Sequence, residues 1–439
     1  MPRHPECQRL WDRADRVLAG GPATLSKHPS RGPYGVAPLV LDDGDGAYVW
    51  CADGQRYVDT VAALGPILLG HSNPDVTAAV RAQAGRLTSA SLLTRLEGEA
   101  AEKLCSIIPG AEMCRFMKNG SDATNAAIRL ARAITGKRHV ICSGYHGANY
   151  DWYAITTEKH AGILPHNTLY SHQVPWGDKE AFTEACAISG NDLAAIIVEV
   201  PPFSWNGQDS SIDAETSAIM YYQNAARVHH AIFILDEVIT SLRYGLGGAQ
   251  SYYDIHADLI TGGKALANGF PLAVLAGKRE FMQRFDGGDP FCSYTFGGEA
   301  TALAACVAVL KTLQDTDALQ NLHKQGMALG EGLCAIFHEH DIPVELWGNY
   351  ARLSLRWHSV NDMITENALK TLWLSENSKR GVLHGIGVIF PMTCWTEEVV
   401  CETLNAANET SYIMRKAIDS KEFSSYITCK IIGNVFSVR

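Results

Sequence analysis

The clearest pattern in this chain is an unbroken apolar run that ends in acid. Ile232-Phe-Ile-Leu235 leads directly into Asp236-Glu237. Such a run predicts a strand covered on both faces, as in a parallel sheet. Ala194-Ala-Ile-Ile-Val198-Glu199 repeats the pattern, and Val200-Pro201-Pro202 stops it. Shorter strand-like runs lie at 114–117, 139–142 and 257–260. Helical spacing of apolar residues predicts helices over 75–87, 97–107, 123–134, 217–229 and 300–313. Strands alternating with helices predict an α/β layer with a mostly parallel sheet.

The two ends of the chain read differently. Residues 1 to 45 carry turn signals at Gly20-Gly-Pro22 and Asp42-Asp-Gly44-Asp-Gly46 and read as irregular. Asp53-Gly54, between the strand-like runs 47–50 and 55–59, predicts a hairpin. The last third mixes helices (317–338, 361–378, 397–417) with short strands (351–357, 382–390) and reads as a separate α+β domain. The expected division is an N-terminal segment 1–60 belonging to the small domain, a large α/β domain 61–315, and a small domain 316–439.

Composition narrows the classes. Hydrophobic residues make up 46% and charged residues 19%, the balance of an ordinary globular chain. A formal charge of −10 argues against nucleic acid as the main partner. There is no long apolar run for a membrane span, and the first residues lack a signal-peptide core, so a cytoplasmic protein is expected. The 12 cysteines form no C-x-x-C pair and read as reduced thiols. Among 16 histidines, His229-His230 has no ligand-spaced neighbour, so no metal is expected.

Candidate chemistry gathers at strand ends. Lys264 lies in the glycine-rich Thr261-Gly-Gly-Lys264-Ala-Leu-Ala-Asn-Gly269. With Asp236 it makes the pair that pyridoxal phosphate requires: an amine for a Schiff base and a carboxylate for the pyridinium nitrogen. A solvated lysine and a capping aspartate would leave the same pattern. Gly120-Ser121, between a strand and a long helix, forms a phosphate site at a helix N-terminus, or a plain Ser121 N-cap. Tyr145, between glycines 144 and 147, could stack on a ring. The hydroxyl of Thr295, in a glycine-containing loop, is a second candidate phosphate contact. Asp236, Glu199, Tyr145 and Gly120 all fall just past strand ends, where ligands of such sheets bind.

Several motifs, in order, carry a resemblance: Asp53-Gly54 with Tyr57-Val-Asp59, Gly65-Pro-Ile-Leu-Leu-Gly70-His71, Asn119-Gly-Ser-Asp-Ala123, Tyr145-His-Gly147, Leu235-Asp-Glu-Val238, Gly247-Gly-Ala-Gln250 and Gly263-Lys264. Over nearly its whole length the chain resembles the class III pyridoxal-phosphate aminotransferases of fold type I, on the branch of glutamate-1-semialdehyde aminomutase. The resemblance implies that Lys264 holds pyridoxal 5'-phosphate and shuttles the substrate proton, and that Asp236 pairs with the pyridinium nitrogen. Val238 and Tyr145 would flank the ring, with His146 and Glu199 in the cofactor-binding set. Gly120 and Ser121 would bind the phosphate. Thr295 would reach the neighbouring subunit's site, which implies a homodimer.

The chain departs from the family's usual Ser-Gly-Thr-Glu-Ala at 119–123. Glu299 stands where the aminomutase has Asn, Lys27 where it has an arginine, and Leu64 where it has Trp. Substrate contacts are expected from Lys27, Leu64 and Trp152, with Ser91 to Thr94 and Ser204-Trp205 nearby. The expected reaction moves an amino group from an amine donor to a keto or aldehyde acceptor. Intramolecular amino transfer of the aminomutase type is the alternative.

Overall fold

Leu193–Glu199 and Ile232–Glu237 are strands in which every residue is buried. That explains their unbroken apolar runs, since both faces of the sheet are covered by helices. The computed structural model describes residues 3–200 and 212–433. The expected contacts Ser204 and Trp205, and the stop at Pro201-Pro202, lie outside the described residues.

One compact unit is formed by residues 74–200 and 212–317. Ahead of it in the chain come β1 (Leu41–Asp45), β2 (Tyr48–Cys51) and β3 (Arg56–Asp59). The unit itself holds β4 (Met113–Met117), β5 (His139–Ser143), β6 (Ser171–Gln173), β7 (Leu193–Glu199), β8 (Ile232–Glu237), β9 (Leu259–Gly262) and β10 (Ala273–Gly277). They form one sheet in the order β4-β10-β9-β8-β7-β5-β6. β10 runs antiparallel to both of its neighbours, and the remaining pairs are parallel. The C-terminal ends of β4, β5, β7, β8 and β9 therefore share one edge.

Register places the acids. Asp236 pairs with Glu199 on one side and Thr261 on the other. Both acids lie within their strands, Glu199 as the last residue and Asp236 as the last but one, rather than in loops beyond them. This corrects the sequence expectation by a residue or two.

With α1 (Pro5–Ala14) lying in the other unit, the helices here are α2 (Pro74–Ala84), α3 (Arg95–Ile107) and α4 (Gly120–Thr135). α4 packs Ala123, Ala126, Ala127, Leu130 and Ala131 into the sheet core with Ile197, Ile234 and Leu275. The small residues let the helix lie close to the strands. Its N-cap is Asn119, not Ser121, because Gly120 already takes up the first helical position. The Asp122 carboxylate accepts the Asn119 N–H at 2.9 Å. α5 (Asp151–Ala154), α6 (Lys179–Ser189), α7 (Ile212–Val228), α8 (Gly248–Tyr252), α9 (Arg279–Met282) and α10 (Ala300–Asp315) complete the unit.

The second unit joins residues 3–73 to 318–433. The N-terminal stretch expected to be irregular contains α1, which buries Cys7 and Trp11 one turn apart, and also β1. Two buried residues on a short polar helix give a weak periodic signal. β1, β2 and β3 form an antiparallel meander with the Asp53-Gly54 hairpin, and β13 (Val382–Leu383) adds in parallel to β3. β11 (Val344–Asn349), β12 (Arg352–Trp357) and β14 (Val388–Ile389) form a second sheet. α11 (Ala318–Glu339), α12 (Glu366–Lys379) and α13 (Glu397–Asp419) are the helices of the C-terminal part. Among the described residues no helix is long and apolar enough to cross a membrane.

Candidate active site

Asp236 is 2% exposed. Its Oδ1 accepts the Val238 N–H at 3.1 Å and the Thr261 hydroxyl at 2.9 Å. Its Oδ2 lies 2.7 Å from His146 Nδ1. These contacts occupy three of the roughly four acceptor positions of a carboxylate, so one stays open to a further donor. His146 Nε2 lies 3.1 Å from the Ser143 carbonyl. Both ring nitrogens thus face oxygens. A buried carboxylate needs such hydrogen-bond partners for its oxygens.

The segment after β5 is braced by aromatics. Trp152 stacks over His146 with ring centroids 6.2 Å apart, and Tyr153 meets the same ring edge-on at 5.4 Å. The Tyr153 hydroxyl donates to the Gly144 carbonyl at 2.9 Å. Trp152 belongs to the core cluster and is only 7% exposed. It backs His146. Tyr145 is 43% exposed, with its ring edge-on to Tyr153. The buried Glu199 accepts the Tyr145 N–H at 2.9 Å and so holds the backbone of this segment.

Glycines shape the floor. A Cβ on Gly120 would come within 2.6 Å of Val238 Cγ1, and one on Gly144 within 2.5 Å of Glu199 Cβ. A Cβ on Gly147 would run into the Ser121 hydroxyl. Val238 is also the side chain nearest to Gly263. The first turn of α4 therefore lies against both the 144–147 segment and Val238, and Val238 against the start of the Lys264 loop. The Thr124 hydroxyl fastens α4 to the His146 carbonyl at 2.8 Å. At the N-terminus of α4 the first-turn N–H groups point out of the helix, a ready anion site.

Lys264 opens a 3-10 turn (Lys264–Ala267) directly after β9, with φ +45°. A left-handed lysine is strained by about 1–2 kcal/mol, and strain of this kind concentrates at functional positions. Thr261 was not singled out from sequence. Only the strand register, which sets it beside Asp236, reveals its role. Glu237 alternates to the opposite face from Asp236. There it accepts the N–H groups of Ala249 and Gln250 and the Thr240 hydroxyl. Burial pushes its carboxyl up to about 7 against those hydrogen bonds. The acid pair thus divides into one residue for the site and one for α8.

Thr295 is exposed in a turn before α10. Ser91 to Leu93 are also exposed, and the half-buried Thr94 caps α3. Lys27 and Leu64 belong to the other unit. Lys27 ends the 3-10 turn Leu25–Lys27, and Leu64 has φ +75°. In that same unit His4, Cys51 and Asp53 bring ligand-type atoms within 4.8 Å of one another. Their atoms already have other work. Asp53 caps α1 through the Glu6 and Cys7 N–H groups, and His4 Nε2 bonds the Val36 carbonyl.

One α/β sheet edge thus carries a buried carboxylate, a lysine with left-handed backbone, closely packed glycines and a helix N-terminus, on the fold type I scaffold of pyridoxal-phosphate transaminases. The chain belongs to the class III aminotransferases, whose family model matches residues 31–359. It is 36% identical over 344 residues to the glutamate-1-semialdehyde 2,1-aminomutase of Halobacterium salinarum, covering 76% of this chain and 75% of that one. It is 34% identical over 424 residues to the aminomutase of Methanothermobacter thermautotrophicus, covering 92% and 96%. Among solved structures it is similar to the FumI protein of a Sphingopyxis species in its PLP internal aldimine form, with TM-score 0.84, 25% identity and coverage of 98% and 99%. The fold also matches a glutamate-1-semialdehyde aminomutase from Pseudomonas aeruginosa, with TM-score 0.79, 22% identity and coverage of 93% and 94%.

Proposed function

We propose that this enzyme is a two-substrate aminotransferase, taking an amino group from an amine or amino-acid donor and giving it to a separate keto or aldehyde acceptor. The observation that carries the amino-transfer reading is the buried Asp236–His146 pair beside the glycine cradle and the strained Lys264. The glycines at 120, 144 and 147 let the backbone pack closely on Val238, Glu199 and Ser121, which gathers the residues proposed to flank a flat ring and its phosphate.

When bound, pyridoxal phosphate supplies a ring that takes up the electron pair left as a proton leaves the substrate carbon. The chain does the rest. Asp236 keeps the proton on the pyridine nitrogen. His146 and Thr261 fix that carboxylate in place. Lys264 Nζ holds the cofactor and then, once released, moves a proton on the substrate. Gly120 and Ser121 anchor the phosphate through backbone N–H groups, and Val238 and Tyr145 flank the ring. Glu199 acts by holding the Tyr145 backbone.

Lys27 and Leu64 are proposed substrate contacts, and they support the two-substrate reading. Lysine is a poorer bidentate partner for a carboxylate than the aminomutase's arginine. The aminomutase reading is favoured by the 34–36% identity to relatives of that name. The two readings part on one experiment. The aminotransferase turns over only when both donor and acceptor are supplied. Complete conversion of glutamate-1-semialdehyde with no second substrate would establish the aminomutase instead.

We further propose a cytoplasmic homodimer in which Thr295 reaches the neighbouring phosphate. Supporting it, Leu92, Leu93, Phe291 and Phe296 are 85%, 78%, 69% and 58% exposed. Leu93 and Tyr294 also share the lining of one cavity of about 290 Å³. Apolar exposure on this scale marks an interface.

A further inference from the structure

The segment 291–299, which carries Thr295, is fastened to the strand and helix that frame the phosphate turn of its own chain. The Arg115 guanidinium on β4 donates to the Cys292 carbonyl. The Tyr294 hydroxyl reaches the Asp122 carbonyl in the first turn of α4 at 3.4 Å. A Cβ on Gly297 would come within 2.9 Å of the Phe116 carbonyl oxygen, so the two backbones touch there. Lys118, two residues before Gly120, closes the arrangement. Its ammonium lies 3.3 Å from Glu299 Oε2, with both side chains mostly covered at 16% and 17% exposure.

Glu299 has a second task. Its carboxylate accepts the Thr301 and Ala302 N–H groups at 2.8 and 3.0 Å and so caps α10. Burial pushes Lys118 down, and Glu299 partly restores it. For Glu299, burial pushes its pKa up, but the bonds from Thr301 and Ala302 and the Lys118 charge outweigh it and hold the carboxyl low. A mostly covered ion pair is costly to break, because the remaining charge loses its charged partner.

We propose that Lys118 and Glu299, with Tyr294, form a strut that sets the direction of the N–H groups at 120–121, which makes them positioning residues for the cofactor phosphate. This rests on the pyridoxal-phosphate reading of the α4 N-terminus. Backbone donors cannot re-aim themselves as side chains do, so a tilt of the turn costs phosphate affinity directly. The ring end of the site, held by Asp236 and His146, does not depend on the strut.

That separation gives the test. Apoenzyme is titrated with pyridoxal phosphate and with pyridoxal, which lacks the phosphate, for wild type, Lys118→Met, Glu299→Gln and the double variant. The strut predicts that each single change weakens pyridoxal phosphate binding about tenfold, that the double is no worse than the weaker single, and that pyridoxal binding changes less than about twofold. Lys118→Arg, which keeps the charge, restores most of the phosphate preference. Unchanged pyridoxal phosphate affinity in both singles overturns the proposal. So does equal weakening of both ligands, the mark of general damage. A wild type that binds the two ligands equally would instead overturn the phosphate reading itself, and the strut with it.

Discussion

At Gly147 a φ of +84° and the nearby Ser121 side chain leave no room for a methyl group. Gly147→Ala therefore has to push the 144–147 segment away from the first turn of α4. The segment carries His146 and Tyr145, so the cost falls on cofactor binding more than on the core. The expected result is a loss of pyridoxal phosphate affinity of at least about tenfold in a titration of the apoenzyme, with the circular dichroism spectrum kept. Wild-type affinity in this variant would show that the segment does not shape the site. At this scale much was legible in the sequence. Lys264, Asp236 and the glycines stood out because their chemistry is unusual at those positions. Thr261 did not, because its contact with Asp236 depends on which strand lies beside which. Trp152 was legible as a large aromatic near the site, but its burial against His146 was not.

Among the elements, β8 carries two acids with opposite tasks, and pH separates them. Burial raises the Glu237 carboxyl from 4.5 to about 7 in the folded protein. Below about pH 4.5 the group is protonated in both the folded and unfolded chain, and its contribution to stability is fully present. As pH rises through 7 the unfolded chain has already ionised, and that contribution is lost. The span is on the order of 3 kcal/mol. Glu237→Gln removes the titration. Urea unfolding at pH 5 and pH 8 should therefore find wild type losing stability relative to the variant as pH rises. A constant gap would refute it. Apolar runs identified β7 and β8, and helical spacing identified α3 and α10 to within two residues at each end. β10 was overlooked, since Ala273-Val-Leu-Ala-Gly277 is short and rich in small residues with weak strand preference. α1 was lost for the same kind of reason, with few apolar anchors on a polar helix. Such elements are fixed by the neighbours they pack on.

For the whole molecule, the sequence order of strands and helices led to the α/β class, and the sheet bears it out. The antiparallel turn at β10 was hidden, because strand direction follows from connections and not from local pattern. The assembly proposal belongs here. Leu93→Asp with Phe296→Asp places two charges among the exposed apolar side chains beside Thr295. Sedimentation velocity should find a dimer for wild type and a monomer for this variant, with weaker cofactor retention in the monomer. A variant that stays dimeric would move the interface elsewhere. The central claim is that Lys264 holds pyridoxal phosphate for amino transfer. It is tested most directly by borohydride reduction of the purified holoprotein, followed by peptide mass mapping, with and without prior incubation with an amine donor. The account predicts one pyridoxyl group, on the peptide containing Lys264, and its loss when the donor has first converted the cofactor to its amine form. A label on a different lysine, or none on protein reconstituted with cofactor, would contradict it.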